Sequence, residues 1–384
     1  MRRASGRPFD AMSLTSLSDI RSARRIVVKI GSALLVKDGK PRTQWLQSLA
    51  QELKGLRDAG GDVVVVSSGA IALGAAKLNL DKGGRGSLAD AQAAAAVGQI
   101  ELARLWSENL GQFDLTTAQI LLTLEDLEDR RRYLNASATL ARLLEAGAVP
   151  VVNENDSVAT EEIRFGDNDR LAARVAQAAD ADVVLLLSDV DGLYDRDPSR
   201  DGANIIPRVE GITEQIMAMA SNASSSGMGS GGMTSKLQAA QIAERAGISL
   251  AIINGQALSP IAHAADANLG TVFVPQRHDD ARKAWLGGRI APKGQLSVDT
   301  GCEAALRNGS SLLAAGITQL DGEFSRGELV SVVSAGGQTL AQGLSEYDAS
   351  DCRKIMGLRE QDQASELGYA PRSAVIHRDH LVLL

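Results

Sequence analysis

The stretch from Val183 to Pro198 reads VVLLLSDVDGLYDRDP and places an apolar run directly before an acidic turn. Its first five residues are all Val or Leu, without polar alternation, which is typical of a β-strand buried on both faces. The polar pair Ser188 and Asp189 follows where this strand should end. The same order of apolar strand and polar turn recurs along the chain, and it determines the predicted fold.

Short runs rich in Val, Ile and Leu alternate with helix-like segments from about residue 25 to residue 275. The runs are Ile26–Val28, Val63–Val66, Val149–Val152, Val183–Leu187, Leu250–Ile253 and Val272–Val274. The predicted helices are Thr43–Ala59, Leu88–Asn109, Arg131–Ala146, Arg170–Ala179 and Lys236–Ala246. Such alternation predicts an α/β/α sandwich around a mostly parallel central sheet.

The pattern of apolar runs and turn residues changes after residue 275, and this change predicts a second domain. Residues 277–293 have the composition of a linker, and residues 294–384 have short strands separated by many Gly and Asn turns. We therefore predict an α/β domain over residues 23–276 and a small, mainly β domain with one or two helices over 294–384. Residues 1–22 carry arginines but no apolar run, so we expect a disordered N-terminal extension.

The bulk composition excludes several classes of protein. Apolar residues make up 44% and charged residues 23%, which is ordinary for a globular chain. The net charge of -7 argues against broad nucleic-acid binding. Two cysteines are too few for a disulfide framework and fit a reducing cytoplasm. No apolar run reaches the length of a membrane span.

Polar or glycine residues follow nearly every predicted strand. The strand ends are Lys29–Ser32, Ser67–Ala70, Asn153–Asp156, Ser188–Asp189 and Asn254–Gly255. In an open parallel sheet, ligands bind outside the carboxyl ends of the strands. Five polar ends in step therefore predict a binding site at that edge.

Two lysines within these segments predict an anion site. Ser230–Lys236 is a run of small residues that leads into a helix, an arrangement whose backbone amides bind phosphate, although it does not match a Walker loop. Lys29 ends a buried strand and needs a partner or an anionic ligand there. Each segment alone has a plainer interpretation: a Gly/Ser loop with a surface lysine, and a lysine that reaches solvent from the strand.

Two acceptor-rich clusters, Asn153–Asp156 and Gly166–Asp169, could bind an ammonium group, Mg²⁺ or a cation-paired substrate. The second cluster could also cap the helix that follows, and capping and binding can coexist there. All four histidines of the chain lie outside these motifs.

Taken in order, these segments resemble the amino acid kinase superfamily. LLLSDVDGLYDRDP (185–198) is similar to its nucleotide-binding segment. The motifs IVVKIGS (26–32), VVVVSSGAIALG (63–74), VVNENDSVAT (151–160), FGDNDRLAA (165–173) and GSGGMTSKLQAA (229–240) resemble the members that phosphorylate the γ-carboxylate of glutamate. FSRGELV (324–330) and GSSLLAAGI (309–317) are similar to a PUA domain.

The resemblance implies a role for each matching position. Lys29 and Lys236 would contact the phosphates and the transferring group, and Asp169 would hold both lysines. The implied glutamate-binding residues are Ser68, Asn153, Asp156, Asp167 and Asn168. The implied ATP-binding residues are Lys29, Ser188, Asp189, Ser230, Gly231, Gly232, Met233, Thr234, Ser235 and Lys236. Mg²⁺ would be carried by the nucleotide, with no metal site of the protein's own.

The same resemblance implies partners and leaves two alternatives open. It implies proline as a feedback inhibitor, a homo-oligomer (dimer or tetramer), and transfer of the product to glutamyl phosphate reductase. A superfamily member acting on aspartate, acetylglutamate, carbamate or a nucleoside monophosphate would share much of this chemistry. RNA binding through the PUA-like tail is the other alternative, although its few aromatics offer no evident stacking surface.

Overall fold

A computed structural model describes residues 14–158, 168–222, 232–275 and 292–383. The chain divides into a first unit, residues 1–127 and 136–278, and a second unit, residues 128–135 and 279–384. No sequence pattern predicted that residues 128–135 group with the second unit. The predicted limits of the two domains and of the linker otherwise remain predictions.

The first unit is built on an eight-stranded sheet. The strands of this unit are β1 (Arg25–Ile30), β2 (Val36–Lys37), β3 (Lys40–Pro41), β4 (Asp62–Ser67), β5 (Thr117–Leu122), β6 (Val149–Glu154), β7 (Val183–Ser188), β8 (Arg208–Glu210), β9 (Ser249–Asn254) and β10 (Thr271–Val274). Strands β2 and β3, of two residues each, form a separate hairpin outside the eight-stranded sheet. The order in the sheet is β5-β6-β4-β1-β7-β9-β10-β8. Every neighbouring pair is parallel except β9 with β10, which confirms the mostly parallel sheet.

Burial explains which strands the sequence revealed. The central strands β1, β4 and β7 are buried along almost their whole length, so their sequences are nearly uninterrupted Val, Ile and Leu. The edge strand β5 is partly exposed and contains Thr117 and Gln119, and the edge strand β8 has three residues. The apolar pattern therefore did not predict β5 or β8.

The helices of the first unit lie between its strands. They are α1 (Ser32–Leu35), α2 (Thr43–Asp58), α3 (Ala70–Leu78), α4 (Leu88–Gly111), α5 (Leu124–Glu128), α6 (Arg130–Glu145), α7 (Asn168–Ala178), α8 (Glu214–Asn222), α9 (Met233–Arg245) and α10 (Pro260–Ala267). The last residue of α5 and the start of α6 belong to residues 128–135, which group with the second unit. Within the described ranges, no helix has the length and apolar character that crossing a membrane requires.

Helices α3 and α4 pack backbone against backbone. A Cβ atom added at Gly98 would lie 1.8 Å from the carbonyl oxygen of Ala70, and one added at Gly74 would lie 1.8 Å from that of Ala94. Only glycine fits at such a crossing, because any side chain would push the two helices apart. This contact places α4 beside the end of β4.

The predicted disorder of residues 1–22 is wrong for residues 14–22. Residues Leu17–Ser22 form a short 3₁₀-helix in which Leu17 and Ile20 are buried. The backbone N–H of Leu14 donates to the hydroxyl of Ser249 at the start of β9, over 3.0 Å. The apolar residues here are single and separated by polar ones, so the sequence pattern did not predict that this segment packs against the core. Residues 1–13 lie outside the described part of the chain.

The second unit has a separate five-stranded sheet and its own core. Its strands are β11 (Gly294–Val298), β12 (Ile317–Gly322), β13 (Leu329–Val333), β14 (Thr339–Leu344) and β15 (Leu381–Leu383), in the order β12-β11-β13-β14-β15. Its helices are α11 (Thr300–Arg307), α12 (Ala349–Ile355) and α13 (Glu360–Leu367). The mainly β architecture is confirmed, and residues 292–383 contain three helices rather than one or two.

Candidate active site

The strand register brings the polar strand ends to one edge of the sheet. Ile30 at the end of β1 pairs with Ser67 of β4 and with Leu187 of β7, and Ser188 pairs with Asn254 of β9. Because these strands are parallel and in step, their carboxyl ends lie side by side. The edge predicted to bind ligand is therefore a continuous polar rim.

Two lysines meet on one carboxylate at this rim. Lys29 Nζ lies 2.6 Å from Asp169 Oδ1, and Lys236 Nζ lies 3.0 Å from Asp169 Oδ2. Lys29 and Lys236 are each 6% exposed and Asp169 is 1% exposed. The group carries two positive charges against one negative, so its net charge is positive and it can attract an anion.

Asp169 stays ionised in spite of its burial. Desolvation, the largest effect, favours the neutral acid, but the charges of Lys29 and Lys236 and their hydrogen bonds outweigh it and hold the pKa of Asp169 below its usual value. An ionised carboxylate in this position fixes both ammonium groups in space. The two positive charges are thereby held at one point of the rim before any substrate binds.

Helix starts supply two of these three residues. Asp169 is the second residue of α7, and Lys236 lies in the first turn of α9, whose N-cap is Gly232. The backbone N–H groups at a helix N-terminus are unpaired and carry a partial positive charge. Both helix starts therefore add to the positive potential that the lysines create.

A chain of side-chain amides crosses the rim beside the lysines. Asn168 Nδ2 donates to Ser68 Oγ over 2.6 Å and to Asn153 Oδ1 over 3.0 Å. Asn153 Nδ2 donates in turn to Gln99 Oε1 on α4 over 2.8 Å. Ser68 is followed by Gly69, whose φ of 122° turns the backbone sharply between β4 and α3.

A cleft of about 320 Å³ opens next to this chain, and its polar wall includes Gln99, Gln119, Glu154 and Asp156. Burial raises the pKa of Asp156 to about 6, against smaller opposing effects of a hydrogen bond from Asn153 and the charge of Arg85. A buried carboxylate of this kind gains most from a cationic partner, because pairing removes the cost of burying its charge.

A second polar turn lies at the ends of β7 and β9. Ser188 Oγ donates to Asp189 Oδ1 over 3.1 Å. Asn254 Nδ2 donates to Asp191 Oδ1 over 2.7 Å, and the Tyr194 hydroxyl donates to Asp191 Oδ2 over 3.1 Å. These bonds tie the turn after β7 to the neighbouring strand, so its shape is fixed.

Most of the residues predicted for the site lie on this rim. Lys29, Asp169 and Lys236 are in contact, Ser68, Asn153 and Asn168 form the amide chain, Asp156 borders the cleft, and Ser188 and Asp189 lie in the second turn. Gly232, Met233, Thr234 and Ser235 form the start of α9. The predicted residues Asp167, Ser230 and Gly231 lie outside the described part of the chain.

Sequence reasoning missed Gln99, and it passed over Asn254 and Asp191 as site residues. Asn254 had been noted as a strand end, and Asp191 lies within the stretch that opens the sequence analysis, so both had a usable signal. Gln99 had none, because it lies in an alanine-rich helix where a glutamine resembles any surface residue.

The fold and the rim define a class of protein. A parallel sheet with two buried lysines on one aspartate, beside helix N-termini and polar turns, defines a phosphotransferase for small anionic substrates. The model of the amino acid kinase family matches residues 24–254, and that of the PUA domain matches residues 294–366.

Similar proteins agree with this class. A glutamate 5-kinase of Novosphingobium aromaticivorans is 64% identical over 372 residues, which cover 97% of this chain and 99% of that protein. The glutamate 5-kinase of Sphingopyxis alaskensis is 58% identical over 370 residues, covering 96% and 100%. That of Zymomonas mobilis is 54% identical over 362 residues, covering 94% and 91%. The chain belongs to the amino acid kinase family and, within it, to the glutamate 5-kinases.

Proposed function

We propose that this protein transfers the γ-phosphoryl group of ATP to the γ-carboxylate of L-glutamate, giving L-glutamyl 5-phosphate and ADP. This reaction is the first step of proline biosynthesis. The observation that carries the proposal is the buried contact of Lys29 and Lys236 with Asp169 at the polar edge of the sheet. The glutamate 5-kinases that resemble the chain over almost its full length support the choice of substrate.

The chemistry needs positive charge rather than a general base. A glutamate side chain has a pKa of about 4.3, so the nucleophile is already ionised at pH 7. The barrier is the approach of this anion to the anionic γ-phosphate. Lys29, Lys236 and the starts of α7 and α9 can offset that repulsion and stabilise the charge on the equatorial oxygens in the transition state. Asp169 would be a positioning residue that holds both lysines.

The amide chain and the cleft suit the amino-acid end of glutamate. Asp156 can pair with the α-ammonium group, and Ser68 and Asn168 offer uncharged hydrogen-bonding groups beside it. Asn153 orients Asn168. Asp167 belongs to the same motif and is proposed as a substrate-binding residue on the family resemblance alone.

ATP would bind between the second polar turn and the start of α9. Ser188 and Asp189 lie in the turn, and the segment from Ser230 to Lys236 leads into the helix. Mg²⁺ fits as an ion carried by the phosphate oxygens of the nucleotide. Among the described residues, no group of three or more His, Cys, Asp or Glu side chains could hold a metal ion by itself.

The direct test is glutamate-dependent ADP release, with the acyl phosphate trapped as its hydroxamate by hydroxylamine. Lys236→Ala should lower kcat by about a hundredfold or more, because the lysine acts on transition-state charge. Lys54→Ala, which removes a partly exposed lysine paired with Asp58 on α2, is the matched control and should keep its activity. A wild-type protein that forms no hydroxamate with glutamate would overturn the proposed function.

Further partners are proposed on the family resemblance. They are proline as a feedback inhibitor, a homo-oligomer (dimer or tetramer), and a reductase that accepts the unstable glutamyl phosphate. We also propose a cytoplasmic location, where ATP is available.

A further inference from the structure

The amide chain beside the lysines has a direction, and that direction decides what it offers a ligand. Both hydrogens of Asn168 Nδ2 are used, one towards Ser68 Oγ and one towards Asn153 Oδ1. Ser68 Oγ is thus an acceptor within the chain, and its own hydrogen remains available for donation outward. Asn168 Oδ1 is buried and has no hydrogen-bond partner among the described residues, so it can accept.

This pattern of one donor and one acceptor matches the two charged ends of an amino acid. The Ser68 hydroxyl can donate to a carboxylate, and Asn168 Oδ1 can accept from an ammonium group. If the side-chain amides of Asn168, Asn153 and Gln99 all rotated by about 180°, the same residues would stay hydrogen-bonded, but each donor would become an acceptor and each acceptor a donor. Asn168 would then accept from Ser68, whose hydroxyl could no longer donate to a ligand.

The far end of the chain selects between the two directions. Asn153 Nδ2 donates to Gln99 Oε1. Burial raises the pKa of the nearby Asp156 carboxylate, and hydrogen bonding from Asn153 lowers it in part. An ionised carboxylate accepts only, so Asp156 keeps the Asn153 amide nitrogen on its own side. Gln99 presents a second acceptor on that side, from a position held by the close packing of α4 against α3.

We propose that Gln99 is a positioning residue that, with Asp156, sets the direction of the chain so that Ser68 donates to substrate and Asn168 accepts from it. The inference rests on the proposed function and extends it to a residue on α4 that touches neither lysine in its described contacts. Its effect is transmitted through Asn153 and Asn168, so it should act on glutamate binding and leave ATP binding alone.

The first test separates this role from a general structural one. Gln99→Met, which keeps the length but removes the acceptor, should raise the KM for glutamate about five- to tenfold, the effect of about one hydrogen bond. The KM for ATP and kcat should change less than about twofold. Gln112→Met at the end of α4 is the control and should behave as wild type. An unchanged KM for glutamate in Gln99→Met would overturn the proposal.

A double-mutant cycle tests transmission through Ser68. In the Ser68→Ala background, Gln99→Met should add less than about twofold to the KM for glutamate, because the donor that it orients is already gone. Full multiplication of the two effects would overturn the proposed path.

Two charged substitutions test the direction itself. Glu at position 99 can only accept and Lys can only donate. Charge alone favours Gln99→Lys, since glutamate carries a net negative charge, whereas the proposed direction favours Gln99→Glu. We expect the lower KM for glutamate in Gln99→Glu, and the reverse order would overturn the direction. Hydroxamate formation by the wild type is independent of these results, so failure of the proposed function is distinguishable.

Discussion

Asp169→Asn would remove the one negative charge between two buried ammonium groups while keeping the shape of the side chain. The contacts of 2.6 and 3.0 Å each correspond to about 6 kcal/mol of attraction at an effective dielectric constant of about 20. Most of this is offset by desolvation, and loss of one partner of a buried pair costs about 3–5 kcal/mol. We expect the free energy of unfolding to fall by that amount.

The same variant should show a second effect, because Lys29 and Lys236 lose the carboxylate that they share. A bound polyphosphate can replace the lost carboxylate, so ATP should raise the Tm of Asp169→Asn more than that of the wild type. Since the lysines lose their fixed positions, kcat should fall by about a hundredfold or more.

The assays are urea unfolding, thermal unfolding with and without ATP, and hydroxamate formation. Asp266→Asn is the control, because Asp266 pairs with Arg21 on the surface and should contribute less than about 1 kcal/mol. A variant of Asp169 with unchanged stability and unchanged kcat would refute the view that this carboxylate holds the lysines.

Three further perturbations follow from the structure. Asp156→Asn should raise the KM for glutamate about tenfold at pH 8. Because burial raises the pKa of Asp156 to about 6, the wild-type KM for glutamate should rise below pH 6. If the KM of Asp156→Asn rose equally below pH 6, that result would argue against the role of Asp156. The raised pKa means that the stability from protonated Asp156 is present below pH of about 4 and is lost as pH rises through 6, so Asp156→Asn should not lower the Tm at pH 8. Gly98→Ala should lower the free energy of unfolding in urea by about 1–3 kcal/mol, because its Cβ would meet the carbonyl oxygen of Ala70. Gly55→Ala, in an open helical position, should be neutral or stabilising. Equal effects of the two substitutions would contradict the close contact of α3 and α4. Ile20→Ala should cost about 2–5 kcal/mol in the same assay, and no loss would contradict the packing of residues 14–22.

Strand burial governed how much of the fold the sequence could predict. Strands covered on both faces, such as β1 and β7, are written as continuous apolar runs, and both were located from those runs. The edge strand β5 keeps one side partly exposed and mixes Thr and Gln with Leu, so it resembled a loop. Residues 14–22 were missed because two or three single apolar side chains sufficed to anchor them.

Physical reasoning predicted some features of the site, family resemblance supplied others, and some could not be predicted from the sequence. Polar strand ends in step indicated the binding edge from physical reasoning, and resemblance supplied the pairing of Lys29, Asp169 and Lys236. The direction of the amide chain could not be predicted, since it depends on which atoms of Asn153 and Gln99 face each other across separate elements. The roles of Asp167, Ser230 and Gly231 stay predictions.

The contact of Lys29, Asp169 and Lys236 joins three parts of the chain that are far apart in sequence, on β1, α7 and α9. A nascent or partly folded chain in which only β1 has formed lacks the cluster of Lys29, Asp169 and Lys236. If the cluster binds the phosphates of ATP as proposed, nucleotide stabilises only the completed first unit, and cellular ATP favours the finished protein over every incomplete form by mass action. Substitutions that weaken this unit without touching the rim should lower the amount of enzyme in a cell more when ATP is scarce.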